Sequence, residues 1–154
     1  MLNTSKIASS ATIDFYSANT SSELALPLIE GGIVAGFPSP AQDYIDLKID
    51  LNKALISNPS STFYGRVKGS SMQDAGILDG DILVIDKSLE PQDGDTAVCF
   101  IDGEFTIKYI KIDPDAVYLI PANSKFQPIK ITEENNFCIW GVVTYSIKNH
   151  KRKG

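Results

Sequence analysis

Histidine is nearly missing from this chain of 154 residues: there is one, His150, four residues from the C-terminus. A Ser-His-Asp or Cys-His centre needs an oriented imidazole held inside the fold, and the terminal position does not offer one. Histidine-rich metal sites are excluded for the same reason. Cysteine is also scarce. Cys99 and Cys138 each sit in an apolar, strand-like segment, and neither has metal-ligand spacing to a partner. They read as free thiols in the core, and no metal or cofactor is expected. Long apolar runs are missing, so no segment reaches membrane-spanning length. Residues 1–20 lack the basic and apolar blocks of a signal peptide. The expectation is a cytoplasmic protein with no membrane partner. Concentrated positive charge is lacking as well. The formal net charge is -5, and the basic run from Lys148 to Lys153 is confined to the tail. Proteins that grip a phosphate backbone usually present a basic face, so direct sequence-specific DNA binding is not expected.

What is present is the material of a globular domain, with 43% hydrophobic and 21% charged residues. Residues 1–23 are rich in Ser, Thr, Asn and Ala and read as a mobile arm, with a short strand near Ile13 to Tyr16. Leu24, Leu26 and Leu28 alternate, which suggests an extended segment. Pro27 restricts it to an edge strand or a docked arm. Asp50 is placed to cap a short helix carrying Leu51, Ala54 and Leu55. From residue 62 onward the chain reads as β: Thr62 to Lys68, Ile82 to Asp86, Asp95 to Ile101, Glu104 to Lys111, Ala116 to Pro121, Pro128 to Ile131 and Phe137 to Ile147. Turn signals separate the runs, and Asp102-Gly103 between two of them predicts a tight hairpin. The pattern points to a mostly β domain, barrel-like or sandwich-like, preceded by a flexible arm.

The stretch Gly69 to Asp81, Gly-Ser-Ser-Met-Gln-Asp-Ala-Gly-Ile-Leu-Asp-Gly-Asp, lies between two of these strands. A serine on a glycine-flanked turn braced by sheet on both sides suits a nucleophile. Gly, Ser and Asp are equally the ordinary residues of a loop. With no usable histidine, a serine nucleophile needs another base. Lys108 lies inside the apolar run Glu104 to Ile110. A strand lysine can simply reach solvent along its own stem. It can also act as a base when burial lowers its pKa and leaves the amine neutral. The Ser-Lys pair is a variant of the same proton-transfer logic. Such an amine is expected to be enclosed by Phe105, Ile107, Tyr109 and their neighbours.

Taken as a set, Gly69-Ser70-Ser71-Met72, Gly76-Ile77-Leu78-Asp79-Gly80-Asp81 and Asp102 to Lys108 resemble the self-cleaving domain of LexA-type Ser-Lys peptidases. Phe37 to Tyr44, Ile49 to Asn52, Leu119 to Ser124 and Trp140 to Val143 resemble its UmuD-type branch. The likeness covers residues 31–147. It implies Ser71 as nucleophile, Lys108 as general base and Ala35-Gly36 as the scissile bond. The backbone amides of Ser70 and Ser71 would form the oxyanion hole. The UmuD-type spacings hold without insertion, 36 residues from Ala35 to Ser71 and 37 from Ser71 to Lys108. Alanine stands before the scissile glycine, as in LexA, where enteric UmuD has cysteine.

The resemblance also implies an arm, residues 1–35, removed from a peptidase domain, residues 36–154. It implies a homodimer, stimulation by a RecA–single-stranded-DNA filament, and service to a UmuC-like Y-family DNA polymerase in translesion synthesis. Residues 1–35 show no paired-helix pattern, so a repressor's DNA-binding domain is not expected. Two further readings stay open: a non-enzymatic binding module of the same fold, and a LexA-related regulator that acts by dimerisation.

Overall fold

The computed structural model of the protein describes residues 6–18, 20, 25–29 and 45–151. Eleven strands account for most of them: β1 (Lys6–Ser9), β2 (Ile13–Ser17), β3 (Ala25–Ile29), β4 (Ile45–Asp50), β5 (Thr62–Val67), β6 (Ile82–Asp86), β7 (Thr96–Ile101), β8 (Glu104–Ile112), β9 (Val117–Ile120), β10 (Ile129–Lys130) and β11 (Phe137–Ile147). The single α-helix among the described residues, α1, spans Leu51–Leu55, and the Asp50 carboxylate caps it by accepting from Asn52 N at 3.0 Å. No described helix is long and apolar enough to cross a membrane.

Local chemistry sets the hairpins. Between β7 and β8 the chain turns in two residues, Asp102 at φ 49° and Gly103 at φ 90°, with Ile101 paired to Glu104. Positive φ at both positions is what a type I′ turn demands, and Asp-Gly supplies it at low cost. Alternation along β8 then sends Ile107 into one apolar cluster and Ile110 into another.

Nine strands form one sheet, in the order β1-β2-β5-β6-β11-β7-β8-β9-β10, and β3 pairs with β4 in a separate two-stranded sheet. The large sheet is rolled. Phe15 on β2 and Phe105 on β8 lie five places apart in that order, yet their ring centroids are 4.8 Å apart. Flat strands at ~4.8 Å spacing would separate them by roughly 24 Å. The bend is built into β11. Its first half pairs with β7 and its second with β6, and register shifts fall between Ile139 and Gly141 and between Val143 and Tyr145. Such bulges increase local twist and let a strand turn a corner. Gly141 is needed at that corner, because a Cβ there would stand 2.6 Å from Ile85 Cγ2. The mostly β expectation, barrel-like or sandwich-like, therefore holds as a single open sheet that is rolled on itself.

The main core lies inside the roll and contains Ile13, Phe15, Val67, Met72, Ile77, Leu83, Ile85, Val98 and Ile107. A second cluster, Ala97, Cys99, Ile110 and Leu119, covers the other face of β7, β8 and β9; Cys99 is buried there as expected, whereas Cys138 on β11 is exposed and not in the core.

The N-terminal region differs from the expected mobile arm over residues 1–23. β2 pairs with β5 through five residues, from Ile13 opposite Val67 to Ser17 opposite Phe63. Ile13 is 0% exposed and Phe15 1%. The physical reason is shape: Gly65 has no side chain, and Ile13 occupies the room, so that a Cβ on Gly65 would lie 2.4 Å from Ile13 Cδ1. Residues 6–17 are part of the sheet. The division at residues 35 and 36 lies outside the described residues.

Candidate active site

The serine loop is held at both ends and in the middle. Gly80 N donates to Val67 O at 2.8 Å and Val67 N to Asp81 O at 2.9 Å, which closes its base. Gly69, at φ 93°, donates its N–H to Asp79 Oδ1 at 2.9 Å. Buried Asp81 accepts from Leu78 N at 2.8 Å and pairs with Lys148 at 2.5 Å. In the middle, Met72 is 2% exposed and anchors the loop in the main core. A second loop, after β9, braces the same turn. Asp74 N donates to Ala122 O at 2.7 Å, and the buried Asn123 side chain donates to Ser70 O at 2.8 Å.

This scaffold leaves Ser70 exposed and Ser71 half-buried. The Ser71 hydroxyl points toward β8 and donates to the Ile107 carbonyl at 3.4 Å. The amine of Lys108 reaches the same oxygen at 3.2 Å and donates to Thr106 Oγ1 as well. The two candidate groups, distant in sequence, thus meet on one backbone acceptor. Among the described residues the backbone N–H groups of Ser70, Ser71 and Met72 donate to no protein group.

Lys108 is 7% exposed. Burial pushes its pKa below the ordinary lysine value, because the charged amine loses hydration there. A thiolate at Cys99 would oppose that shift. Burial holds the Cys99 thiol at about 12, however, so at neutral pH it carries no charge. One detail of the expected enclosure is corrected. Phe105, Ile107 and Tyr109 lie on the opposite face of β8. Lys108 shares its face with Thr106 and Ile110, and stands across from Ala97 on β7. Strand alternation decides this, and the small Ala97 leaves room for the lysine stem.

Three groups at the site had not been singled out from sequence: Thr106, the Ile107 carbonyl and Asn123. Thr106 was within reach of inspection, since residues two apart on a strand share a face. Asn123 was not, because only the tertiary fold brings its loop against Ser70. Asn123→Ala is expected to free Ser70 and lower any reaction at Ser71 by about 10-fold, the loss of ~1.4 kcal/mol of positioning. Its thermal midpoint should change little in comparison, and equal melting and reaction losses would contradict a positioning role.

Ala35 and Gly36 lie outside the described residues. They fall in the connection between β3 and β4, whose strands pair antiparallel from Ala25 opposite Asp50 to Ile29 opposite Ile45. An open concavity of about 450 Å³ lies elsewhere, lined in part by Leu55, Asn58, Asp86, Leu89 and Tyr145. It includes neither Ser71 nor Lys108. Its buried Asp86 carboxylate is already bonded by Asn58, Ser61 and Ser88.

Comparison with known proteins gives the family. Residues 27–144 match the family described as Peptidase S24-like. Protein ImpA of Salmonella typhimurium is 43% identical over 122 residues, covering 79% of this chain and 82% of the relative. Protein MucA of Escherichia coli is 41% identical over 137 residues, 88% of this chain and 93% of the relative. Protein SamA of Salmonella typhimurium strain LT2 is 41% identical over 127 residues, 82% and 86% of the two chains. By the extent of that match and by these identities, the chain belongs to the Peptidase S24-like family and is UmuD-like within it.

Proposed function

We propose that this protein is a self-cleaving serine peptidase that cuts its own chain between Ala35 and Gly36, with Ser71 as nucleophile and Lys108 as general base. The observation that carries the proposal is the convergence of the Ser71 hydroxyl and the buried Lys108 amine on the Ile107 carbonyl. Rotation of the serine side chain exchanges that carbonyl for the neutral amine. Lys108 then takes the proton, and Ser71 Oγ attacks the Ala35 carbonyl carbon. The N–H groups of Ser70, Ser71 and Met72 are available to the developing oxyanion. The proton passes to the Gly36 amine as the peptide bond breaks. Water then hydrolyses the Ala35 ester and leaves a carboxylate. Small residues on both sides of the bond allow close backbone approach.

The tether supports cleavage of the chain by its own site. Ser17 leaves the sheet opposite Phe63, at the end of β5 away from the serine loop. The 18 residues from Ser17 to Ala35 can span up to about 60 Å when extended, enough to return to Ser71. A tethered substrate has a high effective concentration and needs no deep specificity pocket. Control then rests on how often the scissile segment docks productively. In the UmuD-like reading, a RecA–single-stranded-DNA filament favours that docking after DNA damage. The processed protein is a homodimer that serves a UmuC-like Y-family polymerase in translesion synthesis.

The pH dependence tests the base. Only neutral Lys108 accepts the serine proton, so the rate should rise about 10-fold per pH unit below the folded-state pKa and then level off. Burial lowers that pKa, so the plateau should begin below the ordinary lysine value of about 10.4. Cleavage followed by intact mass from neutral to alkaline pH gives the profile. A rate independent of pH across that range would remove Lys108 from the role.

A further inference from the structure

The proposed cut divides the sheet system, and the residues on either side of it remain bonded to each other. Strands β1, β2 and β3 precede Ala35, whereas β4 to β11 follow Gly36. Two strand pairings cross the cut: β2 with β5, and β3 with β4. We propose that cleavage does not release residues 1–35, and that the processed protein is a two-chain complex in which the 1–35 fragment stays as a bound core strand. The inference rests on the cleavage reading above for where the chain is cut.

The site that holds the fragment is built for a particular pattern, Ile13-Asp14-Phe15. Ile13 fills the space over Gly65, where any side chain would collide with it. Phe15 packs against Phe105 at 4.8 Å and Trp140 at 4.5 Å, and both of these residues belong to the larger fragment. Between them, Asp14 points to the other face of β2 and pairs with Lys68 at 2.8 Å. The Asp14 carboxyl is held down to about 2 by hydrogen bonds from Lys68 and Ser9, with the Lys6 charge adding to them. The main chain adds Lys68 N to Thr12 O at 2.7 Å, and the Lys68 amine donates to Ser10 O at 2.9 Å. Departure of the fragment would bare an apolar floor that includes Val67, Met72, Ile85 and Ile107, and would leave the β5 edge unpaired. Water would have to cover surfaces that are now fully packed.

Retention has a consequence for the site. Lys68 directly precedes the serine loop, Met72 directly follows Ser71, and Phe105 sits on the strand of Lys108. All three touch or share a cluster with residues 12–15. The bound fragment therefore braces both halves of the candidate dyad after the cut. The family match covers residues 27–144, so β1 and β2 lie outside it.

The test separates retention from self-cleavage. Full-length protein carrying Ser71→Ala is given a site-specific protease sequence in place of residues 31–36 and is cut by that protease. In native buffer the two pieces should elute as one peak in equal amounts, and guanidinium chloride should separate them. Amides of β2 should keep their hydrogen-exchange protection after the cut. A folded larger fragment eluting without residues 1–35, or lost protection in β2, would overturn the proposal. A synthetic peptide of residues 1–20 should exchange into the cut protein. The same peptide with Phe15→Ala should bind at least about 100-fold more weakly, as expected when a buried ring is deleted. Equal uptake of both peptides would also overturn it, and this arm requires no variant of the protein to fold. Failure of the natural chain to cut itself would leave both results standing and count only against the cleavage reading.

Discussion

Replacing Ser71 with alanine is expected to stop self-cleavage outright, by at least about 10⁴-fold, because no other oxygen on the loop is placed to attack. Ser70 is the control. It is exposed, and the backbone carbonyl of that residue, not its hydroxyl, is what Asn123 holds. Ser70→Ala should leave cleavage within a few-fold. If Ser70→Ala abolished the reaction and Ser71→Ala did not, the assignment would be reversed. Removing the base should cost roughly 10²–10⁴-fold, and Lys108→Met gives a second readout. Burial lowers the Lys108 pKa in the folded protein, so between the folded and unfolded values the unfolded chain binds more protons. Stability contributed by this group therefore rises with pH across that window. Below the window the buried amine disfavours the folded state by the full shift, and within it by part of the shift. Lys108→Met should consequently raise the denaturation midpoint at neutral pH while abolishing cleavage. The gain should shrink as pH approaches the ordinary lysine value. A methionine variant that is inactive and also destabilised would point to a lysine that merely holds the strand.

Phe15→Ala should destabilise the protein by about 3–5 kcal/mol, read from the midpoint of urea unfolding. Phe15 is 1% exposed and touches Phe105 and Trp140 at ring distances of 4.8 and 4.5 Å. The lost ring leaves a cavity between strands that are not sequence neighbours, so little can collapse into it. Such a loss would be a large share of the ~5–15 kcal/mol that holds a typical domain together. A substitution in a solvated arm would stay within about 0.5 kcal/mol. The two expectations differ enough for a single titration to decide between them. A midpoint unchanged from wild type would mean that residues 6–17 contribute nothing to the core.

That segment also shows where the sequence stops being readable. Strands β5 to β11 were legible to within a residue or two, because alternation and Asp-Gly or Pro-Asp turns mark them locally. The Asp50 cap and the Asp102-Gly103 hairpin were legible for the same reason. β2 was visible as a short strand near Ile13 to Tyr16, but its importance was not. It pairs with β5, tens of residues away, and the feature that accepts it is the absence of a side chain at Gly65. A serine- and threonine-rich composition hid two fully buried residues. β1, Lys-Ile-Ala-Ser, was missed because four residues carry too little pattern, and β4 was missed although Ile45, Leu47 and Ile49 alternate with Asp46, Lys48 and Asp50. At the site, Ser71 and Lys108 were reached through their loop and strand settings together with a family resemblance. The structure sets Lys108 on the face of Thr106 and Ile110, not within the enclosure by Phe105, Ile107 and Tyr109 expected for the amine. The Ile107 carbonyl that both groups share could not be read, since a backbone oxygen carries no signature in the residue string.

The most direct test is intact mass of the purified protein after incubation at neutral and at alkaline pH, beside Ser71→Ala and Lys108→Ala, under denaturing conditions that separate any paired fragments. The proposed self-cleavage predicts two new species in the wild type alone, one ending at Ala35 and one beginning at Gly36, in greater amount at alkaline pH. Persistence of the single intact mass in the wild type, with a RecA–single-stranded-DNA filament and ATP supplied, would contradict self-cleavage and leave a binding module of the same fold. The same two species appearing in either variant would contradict the assignment of Ser71 and Lys108.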